Sequence, residues 1–196
     1  MSAIDTLAAD LREVFGERLR MVAAFGNDAH SCAVVASLTL ADLDRCASLE
    51  ATWRKLGRNV PLLLLEAELA RGLDAFPLEF TEIIETRQLV AGEDLFQGMS
   101  IPKTDLRRAC EVQARGHVMH LREGYVEAGG NRKAVERLVH SSITPFRALV
   151  TNAARLGGIS PKALVTKLEL ASFEKSFPEA LRAAEKLVEY VDQWSH

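Results

Sequence analysis

Near Ile101 the apolar residues of this chain change their period. Before that point, short continuous apolar runs alternate with stripes recurring every three or four residues. After it, only the stripes remain. A short unbroken apolar run fits a strand covered on both faces, and a 3.6-residue stripe fits an amphipathic helix. The pattern therefore predicts an α+β protein. Residues 1–100 form an α/β domain, a mixed sheet with flanking helices, and residues 101–196 form a C-terminal helical bundle.

Ile4, Leu7, Leu11, Val14 and Phe15 place the first helix over Ala3–Phe15, ended by Gly16. Leu19–Phe25 reads as a strand, Gly26-Asn27-Asp28 as a turn, and Cys32–Leu38 as a second strand covered on both faces. Thr39 caps the next helix with Asp42 three residues on, and Leu43, Cys46, Leu49, Trp53 and Leu56 form its stripe up to Gly57. Val60–Glu66 is predicted as a third strand with Pro61 at its start or on an edge. Glu66–Leu73 is predicted as a short helix or loop, and Leu78–Ile84 as a fourth strand. Beyond Ile101, the spacing from Leu106 to Tyr125 predicts a long helix ending at Gly129-Gly130. A second run, Val135 to Leu156, contains Pro145 and is expected to kink or to split in two. Ser160-Pro161 opens another helix. Ser176 and Glu179 form a capping box for the last one, which buries Leu181, Ala184, Val188 and Val191.

Composition narrows the function classes. Twenty-four basic against 27 acidic residues leave a formal charge of -3, with no global attraction to nucleic acid or anionic membrane. Aromatics are 6% of the chain and are not interleaved with basic residues, so there is no strong nucleic-acid signal. The longest apolar run, Val60–Leu65, is too short to span a bilayer. Asp5, Asp10, Arg12 and Glu13 interrupt any targeting core at the N-terminus, so a cytoplasmic protein is expected. Cys32, Cys46 and Cys110 each sit in an apolar pattern and are expected as buried thiols. A helical bundle commonly pairs with a second copy, so the partner expected is a homodimer mate or another protein.

The candidate chemistry starts at the first turn. Phe25-Gly26-Asn27-Asp28, with His30 beside it, supplies free backbone amides of the kind that bind phosphate. Its ordinary use is a strand connection. It has one glycine and no Walker-type lysine, and Asp28 repels an anion. Phosphoryl and nucleotidyl transfer also require metal ions held by carboxylates, and an Asp-x-Asp pair on one strand supplies them because alternate side chains share a face. Ser31–Leu38 contains no carboxylate. Glu79 and Glu82 lie on the predicted fourth strand with opposite parity, and either can reach a cleft. Catalytic residues and a protein-bound metal are therefore not assigned. His117, His120 and Glu123 read as a solvated helix face. Arg107, Arg108, Arg115 and Arg122 read as a charged surface or an arginine-lined cleft. Phe15, Trp53, Phe76, Phe80, Phe146 and Phe177 are predicted at core or helix-contact positions.

These residues resemble the nucleotidyltransferase-like superfamily, in which a minimal nucleotidyltransferase domain is joined to a helical bundle. Members carry a Gly-Ser turn, an Asp-x-Asp pair entering the second strand and a third acid on a later strand. Gly26 matches the glycine, Asn27 stands for the serine, and the Asp-x-Asp segment falls at about His30–Val34 without either acid. The Phe76–Phe80 phrase and Gly92-Glu93-Asp94 are similar to divergent members, with Glu79 or Glu82 at the third acidic position. The resemblance covers about Leu19 to Gly124. It implies a nucleotidyltransferase-like sheet with a degenerate active site and no cofactor, acting by nucleotide or anion binding at Phe25–Asp28, His30, Glu79 and Glu82, or by protein assembly. One alternative is an active transferase, taking Mg²⁺ and a nucleotide on Asp28 with Glu79 or Glu82. Another is the interaction module of a two-component, toxin–antitoxin-like system. The nuclease motif of such partners has no clean counterpart here, although Arg115 and His120 have its spacing.

Overall fold

A computed structural model describes residues 2–26 and 30–194. The chain divides into two compact units, Met1–Ile101 and Pro102–His196.

The first unit opens with α1 (Ala3–Phe15). Ser2 accepts from the Asp5 amide and Asp5 accepts from the Ser2 amide, a reciprocal cap that satisfies two orphan donors. At the other end, the Arg45 guanidinium donates to the carbonyls of Glu13 and Val14, each at 2.7 Å. β1 (Leu19–Phe25), β2 (His30–Val35), α2 (Leu40–Lys55), β3 (Leu62–Leu65), α3 (Leu69–Ala75), α4 (Pro77–Thr86) and β4 (Gln88–Gly92) follow. The sheet order is β3-β2-β1-β4, with β1 antiparallel to both neighbours and β3 parallel to β2. The parallel pair needs a crossover, and α2 provides it.

Alternation along the two central strands builds two cores. Val22, Ala33 and Val35 face Leu7, Leu11, Phe15 and Trp53 of α1 and α2. Met21, Ala23, Cys32 and Val34 face Leu69, Phe80, Ile83 and Phe96. Both faces being covered is why β2 is apolar without a break from Cys32 to Val35. Trp53 is fully buried, and its indole N–H donates to Asp10 at 2.8 Å.

Leu78–Ile84 is helical, not the fourth strand. Pro77 occupies the first turn, where its missing N–H costs nothing, and the Thr81 hydroxyl donates back to the Pro77 carbonyl. Glu79, Glu82 and Glu85 recur every three residues, which is the polar side of a helix. The fourth strand is the next segment, Gln88–Gly92. Phe76, ahead of α4, is 59% exposed and lies outside the core. On α2 the inward face is Asp42, Cys46 and Trp53, while Leu43 and Leu56 are exposed.

Asp42 is buried because three groups hold it. Arg18 donates both guanidinium nitrogens to its two oxygens at 2.7 and 2.8 Å, and Thr39 donates from its amide and hydroxyl. The Arg18 hydrogen bonds, then those of Thr39, hold this carboxyl far below the usual aspartate range. A depressed carboxyl stabilises the fold above its unfolded pKa, about 3.9, and loses that contribution as pH falls through the folded value. Asp42→Asn is therefore expected to be less stable than the parent at pH 7, with the gap narrowing below about pH 4. Urea midpoints of both proteins at pH 7 and pH 3 check this; a gap of equal size at both pH values would refute the assignment.

The second unit is α5 (Lys103–Glu127), α6 (Arg132–Leu156), α7 (Pro161–Leu168) and α8 (Phe177–Asp192). Gly124 lets α5 approach α6, since a methyl there would lie 2.8 Å from Leu138 Cδ1. α6 continues through Pro145 as one helix instead of splitting. Val139 and Ser142 before the proline, and Phe146, Leu149 and Val150 after it, are buried on one side, and this packing outweighs a lost hydrogen bond and ring clash worth about 3 kcal/mol. At α8, Ser176 accepts from the Glu179 amide, but the Glu179 carboxylate turns to Ser172 and Arg182 at 2.8 and 2.9 Å, so only half of the capping box forms. The buried face of α8 is Ala180, Ala183, Ala184, Leu187, Tyr190 and Val191, which leaves Leu181 and Val188 at its margins. Among the described residues, no helix is long and apolar enough to cross a membrane.

Candidate functional site

The end of the β1–β2 hairpin gathers most of the residues that sequence singled out. Phe25 and His30 are register partners, their rings 5.5 Å apart. Gly26 follows with φ +61°, and a methyl on it would lie 3.2 Å from His30 Cδ2 and 3.3 Å from Glu82 Oε1. The backbone angle favours glycine there, and the space above it is tight. Asn27 and Asp28 lie outside the described residues. Because α4 is a helix, Glu79 and Glu82 are one turn apart on neighbouring positions, not on opposite faces of a strand. Glu82 is the one brought to the turn; Glu79 is exposed.

Sequence reasoning missed Thr86. The Gly26 amide donates to its hydroxyl at 2.8 Å, and that hydroxyl donates to the Glu82 carbonyl at 2.7 Å. The Gly26 amide is thus engaged inside the fold. A carboxylate stands beside it, with the wrong sign for an anion. Arg87 was also missed. It makes a two-pronged pair with Asp94, both contacts at 2.8 Å, and donates to the Ile84 carbonyl. Asp94 also accepts from the Phe96 amide, and these partners, Arg87 first, hold its carboxyl below the usual range. The acid of Gly92-Glu93-Asp94 therefore pins the segment after β4 to the end of α4. Nothing in local spacing announces such a contact, although Arg and Asp flanking one short strand are a hint.

Beyond His30, β2 offers no exposed ligating group. Ser31 is 5% exposed and Cys32, Ala33, Val34 and Val35 are at 0%. Burial pushes the Cys32 thiol up to about 12 and the Cys110 thiol to about 11, and raises Cys46 as well, so all three stay protonated and poorly nucleophilic. Among the described residues, no group of three or more His, Cys, Asp or Glu side chains is arranged to hold a metal ion.

In the bundle, His120 and Glu123 form an exposed pair at 3.8 Å. His117 departs from the predicted solvated face. Its ring lies 5.8 and 6.0 Å from those of Phe146 and Phe173, and burial, with the nearby His120, lowers its pKa. Arg107 and Arg115 pair with Glu111, Arg115 also with Asp192, and Arg122 with Glu185. These arginines thus tie α5 to itself and to α8. No family model and no curated protein matches the chain.

Proposed function

We propose that this chain is a nucleotidyltransferase-like protein that performs no transfer chemistry of its own and works by assembly with another protein. The observation that carries the reading is the double burial of β2. In the resembled family that strand presents metal-holding acids to a cleft; here Cys32 and Val34 are packed under Phe80, Ile83 and Phe96. The engaged Gly26 amide and the adjoining Glu82 carboxylate weigh against a nucleotide at the turn. Assembly is favoured by α5, where Val112, Met119 and Val126 recur every seven residues and are 67%, 66% and 78% exposed. Seven-residue spacing is the seam of a helix–helix contact, and an exposed apolar stripe of this kind marks an interaction surface.

The test is calorimetric titration with ATP, CTP, GTP and UTP, with and without Mg²⁺, together with a pyrophosphate assay. The expected result is neither Mg²⁺-dependent binding nor pyrophosphate release. Both together would overturn the proposal in favour of the active-transferase reading, to which the Glu79–Glu82 side of α4 lends its one specific support.

A further inference from the structure

Along a second side of α6 the bundle leaves a groove. Two adjoining depressions, about 280 and 580 Å³, run beside it and share Ile143 and Glu174 in their lining. From Val135 to Val150 this face extends about 22 Å, four helical turns. Its floor is apolar: Val135, Ile143 and Val165 are half-buried, above Phe146 and Phe173 stacked at 3.9 Å. Its rim is charged and biased. Arg132, Arg147, Lys162 and Lys175 stand against Glu136 and Glu174 only. Arg132 pairs with Glu136 and Arg147 with Glu174, which leaves Lys162 and Lys175 in excess on the rim, Lys175 within the field of Glu179. This excess sits on a chain of net charge -3, so it is a local feature and not a reflection of composition.

We infer that this groove docks an amphipathic helix of a partner protein whose apolar side is flanked by carboxylates. An apolar floor four turns long with a charged rim is the geometry that receives one face of a helix. The rim selects acidic flanks, because opposite charge steers and registers the encounter while like charge is penalised. The inference deepens the assembly reading and rests on it.

The test uses the full-length protein and a fluorescein-labelled peptide of about 16 residues, with leucine at i, i+4, i+7 and i+11 and glutamate beside them. Twins carry lysine for glutamate, or the same residues scrambled. Fluorescence anisotropy is expected to show saturable binding of the acidic helix at least about tenfold tighter than of either twin. Lys162→Glu with Lys175→Glu should abolish or invert that preference, with the urea midpoint unchanged because both lysines are exposed. Ile143→Asp should abolish binding of every peptide. Equal binding of the acidic and scrambled peptides, no saturable binding, or insensitivity to the lysine reversals would overturn the inference. So would lysine-dependent binding to phosphatidylserine vesicles in place of the peptide. Nucleotide turnover in the titration above would end the assembly reading whatever the peptides do; inert nucleotides with indifferent peptides would end the groove alone.

Discussion

Gly92→Ala is expected to lower the stability of the first unit by about 3 kcal/mol or more, a large fraction of what holds a domain folded. Gly92 has φ +82°, which strains any residue with a Cβ. The added methyl would also lie 1.9 Å from the Arg20 carbonyl oxygen and 2.7 Å from its carbon. Those atoms are backbone of β1, the central strand, so they cannot rotate away as a side chain would. The close approach lies at the end of the β1–β4 ladder, where Met21 is the register partner of Gly92 and the Arg20 carbonyl also accepts from the Glu93 amide at 3.1 Å. Trp53 lies in the first unit and Trp194 in the second, the two tryptophans of the chain, so a Trp194→Phe background isolates the first transition. The urea midpoint read by Trp53 fluorescence should drop by about 2 M. A midpoint within about 0.3 M of the parent's would show that β4 does not close on β1 in this way.

What sequence shows and what it hides divide by distance along the chain. α1, β1, β2 and the cap of α2 are legible because each rests on a period or a pair of residues a few positions apart. The double coverage of β2 is legible too, since an unbroken apolar strand must be covered on both sides. α4 was not, because Leu78, Phe80 and Ile84 alternate well enough to pass for a strand while the glutamates at three-residue spacing say helix. Seven residues of local pattern do not separate the two, and tertiary packing on Phe96 decides. Mistaking α4 hid β4, and with it the Arg87–Asp94 pair and the Thr86–Gly26 contact, which spans 60 residues. At the candidate site, the approach of Phe25, Gly26 and His30 was readable from the hairpin. The arrival of Glu82 there was readable only as one of two options.

Installing the missing acids is expected to destroy the sheet, not to create a catalyst. Cys32 and Val34 are alternate positions of β2, share one face and are fully buried under Phe80, Ile83 and Phe96. A carboxylate at position 32 has Arg87 as its nearby cation, and that guanidinium is already committed to Asp94 and the Ile84 carbonyl. An uncompensated buried charge costs roughly 3–5 kcal/mol, so Cys32→Asp should be severely destabilised and Cys32→Asp with Val34→Asp should not fold. Cys32→Ser, which changes the group by one atom and adds no charge, is the control for shape. Burial raises a carboxyl's pKa, so the deficit of Cys32→Asp relative to Cys32→Ser should be smallest near pH 4 and grow as pH rises from the unfolded value toward the folded one. Urea midpoints of the two variants from pH 4 to pH 8 measure this. If the double aspartate variant instead kept the parent's midpoint at pH 8 and bound Mg²⁺, β2 would have to face an open cleft. The burial on which the non-catalytic reading rests would then be wrong, and the transferase reading would return with its metal site restored.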